Sequence, residues 1–192
     1  MHLKNIENLK SFYNEFYIED YYENGLKKKL SGYENYHWIS TRSYPEAVEI
    51  INNFDFNTVI DYACAKGFLV HALRQLGKEA YGEDISQYAI DNAHPRVKNF
   101  ISKPNNNKAD LIICKDVMEH IYENEVTDVL NFIKSKCLKN VLLIIPLGDN
   151  DSFRIREYEV DITHVTKKDE DWWIDKIKES GFYLKKFSYS MG

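Results

Sequence analysis

The sequence is short of thiols, of excess positive charge and of long apolar runs. Its three cysteines, Cys64, Cys114 and Cys137, are odd in number and include no C-x-x-C pair. That pattern excludes a disulfide frame and a zinc ribbon, and it fits reduced thiols in a cytoplasmic protein. No other clustering of metal-ligand residue types shows in the spacing, so no metal is expected. Lysine and arginine number 25 against 30 aspartates and glutamates, for a net charge of −5. A broad duplex-DNA footprint needs a basic stripe, which this balance does not supply. The opening M-H-L-K-N-I-E-N has no apolar run, so neither a signal peptide nor a membrane span is expected. What remains is 192 residues, suited to one domain with a central sheet covered on both faces.

The chain is organised around Thr58 to Asp84. Thr58-Val59-Ile60 is a β-branched run, the mark of a buried strand, and Asp61 ends it. Small residues then alternate at Ala63, Ala65 and Gly67, which lets a backbone approach a ligand closely. From Phe68 the period becomes helical through Leu69, Ala72, Leu73 and Leu76, and Gly77 stops it. Ala80-Tyr81-Gly82 leads to the acidic pair Glu83-Asp84. Strand, tight turn, helix, strand, acid is a βαβ nucleotide-binding pattern. Helix N–H groups at the turn face an anionic ligand, and an acid at the second strand's end accepts ribose hydroxyl protons.

This stretch resembles motif I of the class I S-adenosylmethionine-dependent methyltransferases, acid-x-G-x-G-x-G, with Asp61 as the acid. Its Cys64-Ala65-x-Gly67-Phe68-Leu69-Val70 is similar to loops of small bacterial and phage-like members. The resemblance continues at Tyr81-Gly82-Glu83-Asp84-Ile85-Ser86, at Ala109 to Cys114 with Val117-Met118-Glu119-His120, and at Asp161-Ile162-Thr163-His164, Trp172-Trp173 and Gly181-Phe182. It covers roughly residues 55 to 187, in order. It implies a Rossmann-like, doubly wound α/β fold, mostly parallel, with helices on both faces. It also implies S-adenosylmethionine as cofactor, held by Asp61, Ala63, Ala65, Gly67, Phe68, Asp84 and Ile85. Lys115 joins them because it follows the fourth strand's C-terminal end, at the switch point. The departure is that two of the three loop glycines are alanines, so a methyl at each is expected to crowd the methionine part. Two alternatives stay open: a non-catalytic binding module, motivated by those alanines, and a nicotinamide-dependent reductase. The latter is disfavoured because Phe68 stands where the last glycine of G-x-G-x-x-G belongs.

Along the rest of the chain, residues 3 to 22 carry apolar and aromatic residues at helical spacing. An N-terminal helical lid or extension is expected over 1–42, and the catalytic domain over 43–192. Tyr33, Tyr36, His37 and Trp38 are expected at the mouth of the site. Ser43 is expected to cap a helix through Ile51, and Ser86 one bounded by Pro95. Val97–Ile101 reads as a weak third strand, Asp110–Cys114 as the fourth, Asn140–Pro146 as the fifth and Phe182–Phe187 as a sixth. The seventh, antiparallel strand of the class has no counterpart before Gly192. The alternatives are a protein that lacks it or a sequence that stops short of it.

Methyl transfer asks the protein to align a nucleophile, exclude water and, for a hydroxyl, remove a proton. His164 on the long loop after the fifth strand, with Asp161 to orient it, is one candidate base; His120 is the other. Arg154 and Arg156 either hold an anionic substrate group or are solvated charges. No Asp-Pro-Pro-Tyr motif follows the fourth strand, which argues against amino methylation of DNA. A small-molecule substrate is expected, with O-methylation of a sugar or glycan precursor as its specific form.

Overall fold

The computed structural model describes residues 15–189, so the expected helix before residue 15 lies outside the described residues. Five parallel strands form the sheet, in the order β3-β2-β1-β4-β5. They are β1 (Thr58–Tyr62), β2 (Glu79–Glu83), β3 (Ile101–Ser102), β4 (Ala109–Lys115) and β5 (Cys137–Ile144). β1 lies between β2 and β4, with Ile60 opposite Tyr81 on one side and Ile112 on the other.

Alternation along these strands feeds two cores, because successive side chains point to opposite faces. Ile60, Ile112 and Cys114 pack with Met118, Val126, Leu130, Ile133 and Trp173. That face is covered by α6 (Val126–Lys136) and α7 (Glu170–Glu179). Val59, Leu111 and Ile113 pack with Ala47, Ile50, Val70 and Leu73, from α3 (Ser40–Asn53) and α4 (Phe68–Gln75). Burying each such aliphatic side chain contributes about 1.5–3 kcal/mol. That is why Val59-Ile60 in β1 and Leu111 to Cys114 in β4 read as unbroken apolar runs. Two short helices, α1 (Glu19–Glu23) and α2 (Gly25–Lys28), precede α3. α5 (Gln87–Asp91) starts at Ser86, whose Oγ accepts from the Ala89 amide at 3.0 Å as expected of a cap. A two-stranded hairpin, β6 (Gly148–Asp149) and β7 (Ser152–Phe153), opens the long loop after β5.

Three expectations are corrected. The helix expected to start at Ser43 begins at Ser40, so Pro45 falls inside it. The third strand is only Ile101–Ser102, because Lys98–Phe100 closes a 3-10 turn. No sixth strand forms at Phe182–Phe187, and β5 pairs only with β4 among the described residues. Lys185 and Lys186 break the apolar alternation there, and Tyr183 stands 86 % exposed.

Candidate active site

The turn between β1 and α4 has an unusual backbone. Ala63 and Ala65 take φ of 62° and 50°, and Gly67 takes 72°. These are left-handed values that glycine adopts freely and alanine adopts at a cost. The alanines thus hold the shape that glycines hold elsewhere. A carboxylate helps keep it: Asp84 Oδ2 accepts from the Ala65 amide at 2.7 Å and Oδ1 from the Ser86 amide at 2.7 Å. Gly67 has a packing reason of its own, since a Cβ there would lie 2.2 Å from Ile101 Cδ1.

Two cavities open at the C-terminal ends of β1, β2 and β4, where the strand order reverses and this architecture binds ligands. The first, about 120 Å³, is walled by Tyr17, Tyr21, Tyr22 and Tyr33, and its floor holds Ala63, Ala65, Asp84, Ile85, Asp116 and His120. The second, about 270 Å³, is polar and shares Tyr33, Ala63, Ala65 and Asp116 with the first. It adds Arg42, Glu46, Asp61, Phe68 and Lys115. Burial pushes the Asp84 carboxyl up to about 6. It pushes Asp61 up to about 8, with Glu46 adding to the effect. Lys115 pairs with Glu46 at 2.7 Å.

Behind His120 lies a buried polar cluster. The turn Met118–His120 is stitched to the long loop, because the Glu119 carbonyl accepts from the Val165 and Thr166 amides at 2.8 and 3.0 Å. Asp161 Oδ1 accepts from Thr163 Oγ1 at 2.5 Å and from the Thr163 amide at 2.9 Å, and Oδ2 accepts from Tyr21 at 2.5 Å. Thr163 spends its hydroxyl proton on Asp161, so its oxygen accepts from His120 Nδ1–H at 2.8 Å, a tautomer assigned from the network. Tyr17 Oη is also near that nitrogen, at 3.1 Å. His164 donates from Nδ1 to the Tyr158 carbonyl at 2.6 Å, and its Nε2 lies 3.8 Å from Asp161 Oδ2. Burial, with His164 beside it, holds the His120 imidazole down to about 3. Burial, then Asp116 and Asp161, push the Glu119 carboxyl well above its usual range.

The sequence pattern of a family described as a methyltransferase domain matches residues 34–186. The chain belongs to that family. Its fold is that of the class I S-adenosylmethionine-dependent methyltransferases, and S-adenosylmethionine is the cofactor that goes with that membership. Solved methyltransferase structures share the fold at low identity. The magnesium protoporphyrin IX methyltransferase of Synechocystis, with bound cofactor, is 16% identical with a TM-score of 0.62 over 92% of this chain and 88% of that one. A methyltransferase of Archaeoglobus fulgidus is 18% identical with a TM-score of 0.58, over 73% and 67%. The mitomycin 7-O-methyltransferase is 15% identical with a TM-score of 0.60, over 75% of this chain and 49% of that one. The chain thus spans about half the length of that enzyme. No curated protein matches.

In this methyltransferase, the residues expected from the sequence divide among several places. Ala63, Ala65, Asp84 and Ile85 line the first cavity, and Asp61, Phe68 and Lys115 line the second, while Gly67 lines neither. Of the two histidines, His120 lines the first cavity, and His164 and Asp161 stand behind it. Asp161 is hydrogen-bonded to the side chains of Tyr21 and Thr163, and through Thr163 it is linked to His120. Arg154 pairs with Asp149 and Glu170 at the surface. Tyr33, Tyr36 and His37 line the second cavity, whereas Trp38 packs on His71 and His94. Sequence reasoning missed Arg42, Glu46 and Thr163. The first two carry no motif. Thr163 was visible between Asp161 and His164, but only folding shows that it joins the acid to a histidine 43 positions away.

Proposed function

We propose that the chain transfers a methyl group from S-adenosylmethionine to a hydroxyl of a small molecule, with a sugar or glycan precursor as the specific acceptor. The observation that supports it is Asp84. Its carboxylate follows β2 directly, lines the first cavity and spends one lone pair of each oxygen on a backbone amide. A further lone pair on each oxygen remains for ribose hydroxyls. Asp61, Ala63, Ala65, Phe68, Ile85 and Lys115 complete the cofactor cleft. Arg42 suits a carboxylate and Glu46 an ammonium, the two charges of an amino-acid group. When bound, S-adenosylmethionine supplies an activated methyl on a sulfonium, a good leaving group. The chain's own residues then orient the acceptor, exclude water and receive its proton. Phenol faces of Tyr17, Tyr21, Tyr22 and Tyr33 give the acceptor an apolar wall with polar tips. The proton is relayed through His120, whose imidazole burial keeps neutral and Thr163 holds in one tautomer, toward Asp161 in the cluster with His164 behind that wall. Within the 1–42 extension, the described residues 15–42 act as the lid and supply those tyrosines.

Calorimetry with S-adenosylmethionine and its demethylated product tests the cofactor. Asp84→Ala should weaken binding by about 1.5–3 kcal/mol, the range of a hydrogen bond to a charged group. A methyl-release assay over hydroxyl-bearing small molecules, sugars included, tests the acceptor. No turnover with any hydroxyl, against turnover with thiols or amines, would remove the O-methylation reading.

A further inference from the structure

Glu119 is fully buried, and neither carboxylate oxygen has a hydrogen-bond partner. A buried carboxylate with both oxygens bare calls for a cause, and a missing cation is one of the few available. Two histidines stand beside it. Glu119, His120 and His164 each offer a ligand atom, and all three atoms lie within 4.8 Å of one another. His164 Nε2 is 4.0 Å from Glu119 Oε1. Ligand atoms bound to one zinc ion at about 2 Å sit roughly 3.3 Å apart in a tetrahedron. Closing the cluster onto an ion therefore takes side-chain movements of an ångström or so.

We propose that Glu119, His120 and His164 form a binding site for a divalent transition-metal ion, with zinc as the probe that fits it. Two imidazoles and one carboxylate are the donor set of catalytic zinc sites, which keep a further position open for water or substrate. Softer or harder alternatives fit less well: there is no thiolate in the set, and magnesium and calcium take all-oxygen ligands. The outer contacts match as well. His164 already gives its Nδ1 proton to the Tyr158 carbonyl, which leaves the Nε2 lone pair unprotonated, 4.0 Å from Glu119 Oε1 and 3.8 Å from Asp161 Oδ2. A ligating histidine is oriented in this way. The backbone bonds from Val165 and Thr166 to the Glu119 carbonyl fix the two segments that carry the ligands. The spacing of the sequence hides the site, because His164 comes from a different loop.

The site deepens the functional reading and rests on it in one respect. His120 lines the acceptor cavity, so an ion there would stand at the cavity wall, with His120 as its ligand in place of a free base.

The test is calorimetric titration of zinc chloride into full-length protein stripped with chelator, with cobalt chloride and visible absorption as a second readout. One ion per chain should bind, and cobalt should give the absorption of a low-symmetry nitrogen–oxygen site. Glu119→Gln, which keeps shape and removes charge, and His164→Ala should each weaken zinc by roughly 100-fold or more. His71→Ala, which removes the stacked His71–His94 pair as a rival site, should leave zinc affinity unchanged. Thermal melts of each variant without metal show that it folds. Absence of zinc binding at micromolar concentration, equal binding by Glu119→Gln, or loss of binding in His71→Ala would overturn the site. S-adenosylmethionine titrated into the same metal-free protein separates the two ideas. Binding of cofactor without zinc removes only the metal site, and binding of zinc without cofactor removes the methyltransferase reading.

Discussion

Two alanines carry the conformation of the turn between β1 and α4. A left-handed φ costs an L-residue roughly 1–2 kcal/mol, and glycine gives back about 0.4–1 kcal/mol through the looser unfolded chain. Ala63→Gly should therefore stabilise the protein by about 0.5–1 kcal/mol, read as a higher melting temperature. A lower one would mean that the methyl's packing against the core outweighs the strain. Asp84, which holds the turn at Ala65, has a folded pKa near 6 against an ordinary 3.8. Its pKa is raised on folding, so its stability contribution is full below about pH 4 and is lost as pH rises through 6. Cofactor affinity should run the opposite way, because ribose hydroxyls donate to the carboxylate and not to the acid. Melts without cofactor should fall, and affinity by calorimetry should rise, between about pH 5 and 7. An affinity flat across that interval would exclude Asp84 as the ribose acceptor.

Among elements, the long loop after β5 and the turn after β4 behave as one unit, joined by Glu119, Thr163 and Thr166. Thr163→Val keeps shape and removes the hydroxyl that links Asp161 to His120. Methyl transfer should fall by about 100-fold, the effect of a small misplacement at a reacting centre, with cofactor affinity unchanged. A matching loss of affinity would mean that Thr163 shapes the cofactor cleft instead. The elements that were legible in the sequence are those whose signals are local. Val59 and Ile60 marked β1, and the change of period at Phe68 marked α4. Ser86 marked α5. The elements that were not legible depend on partners. Val97 to Phe100 looked extended but closes a turn, and Phe182 to Phe187 found no strand to pair with. For the same reason the sequence named His164, Asp161 and His120 singly, while their linkage through Thr163 and the place of Glu119 beside them came only with the fold.

Across the whole molecule, Lys136 and Glu83 form a buried pair at 2.9 Å, with Lys136 also donating to the Asn105 carbonyl at 2.5 Å. The pair ties the end of α6 to the end of β2. Lys136→Met leaves Glu83 without its cation and should cost about 3–5 kcal/mol in urea unfolding. Adding Glu83→Leu should recover most of that loss, since a matched apolar pair avoids the desolvation of two charges. A cost under about 1 kcal/mol for the single variant would show that water reaches the site. The tyrosine wall has an optical meaning as well. Tyr21 and Tyr22 lie 5.1 Å apart and nearly perpendicular, and Tyr22 stacks on Tyr88 at 5.8 Å. Phenols this close, at fixed angles, share their near-ultraviolet excitations. A molecule that enters the cavity shifts those angles and replaces the medium around the rings. Circular dichroism between the peptide bands and the tryptophan edge then reports occupancy directly, so the protein serves as its own dye.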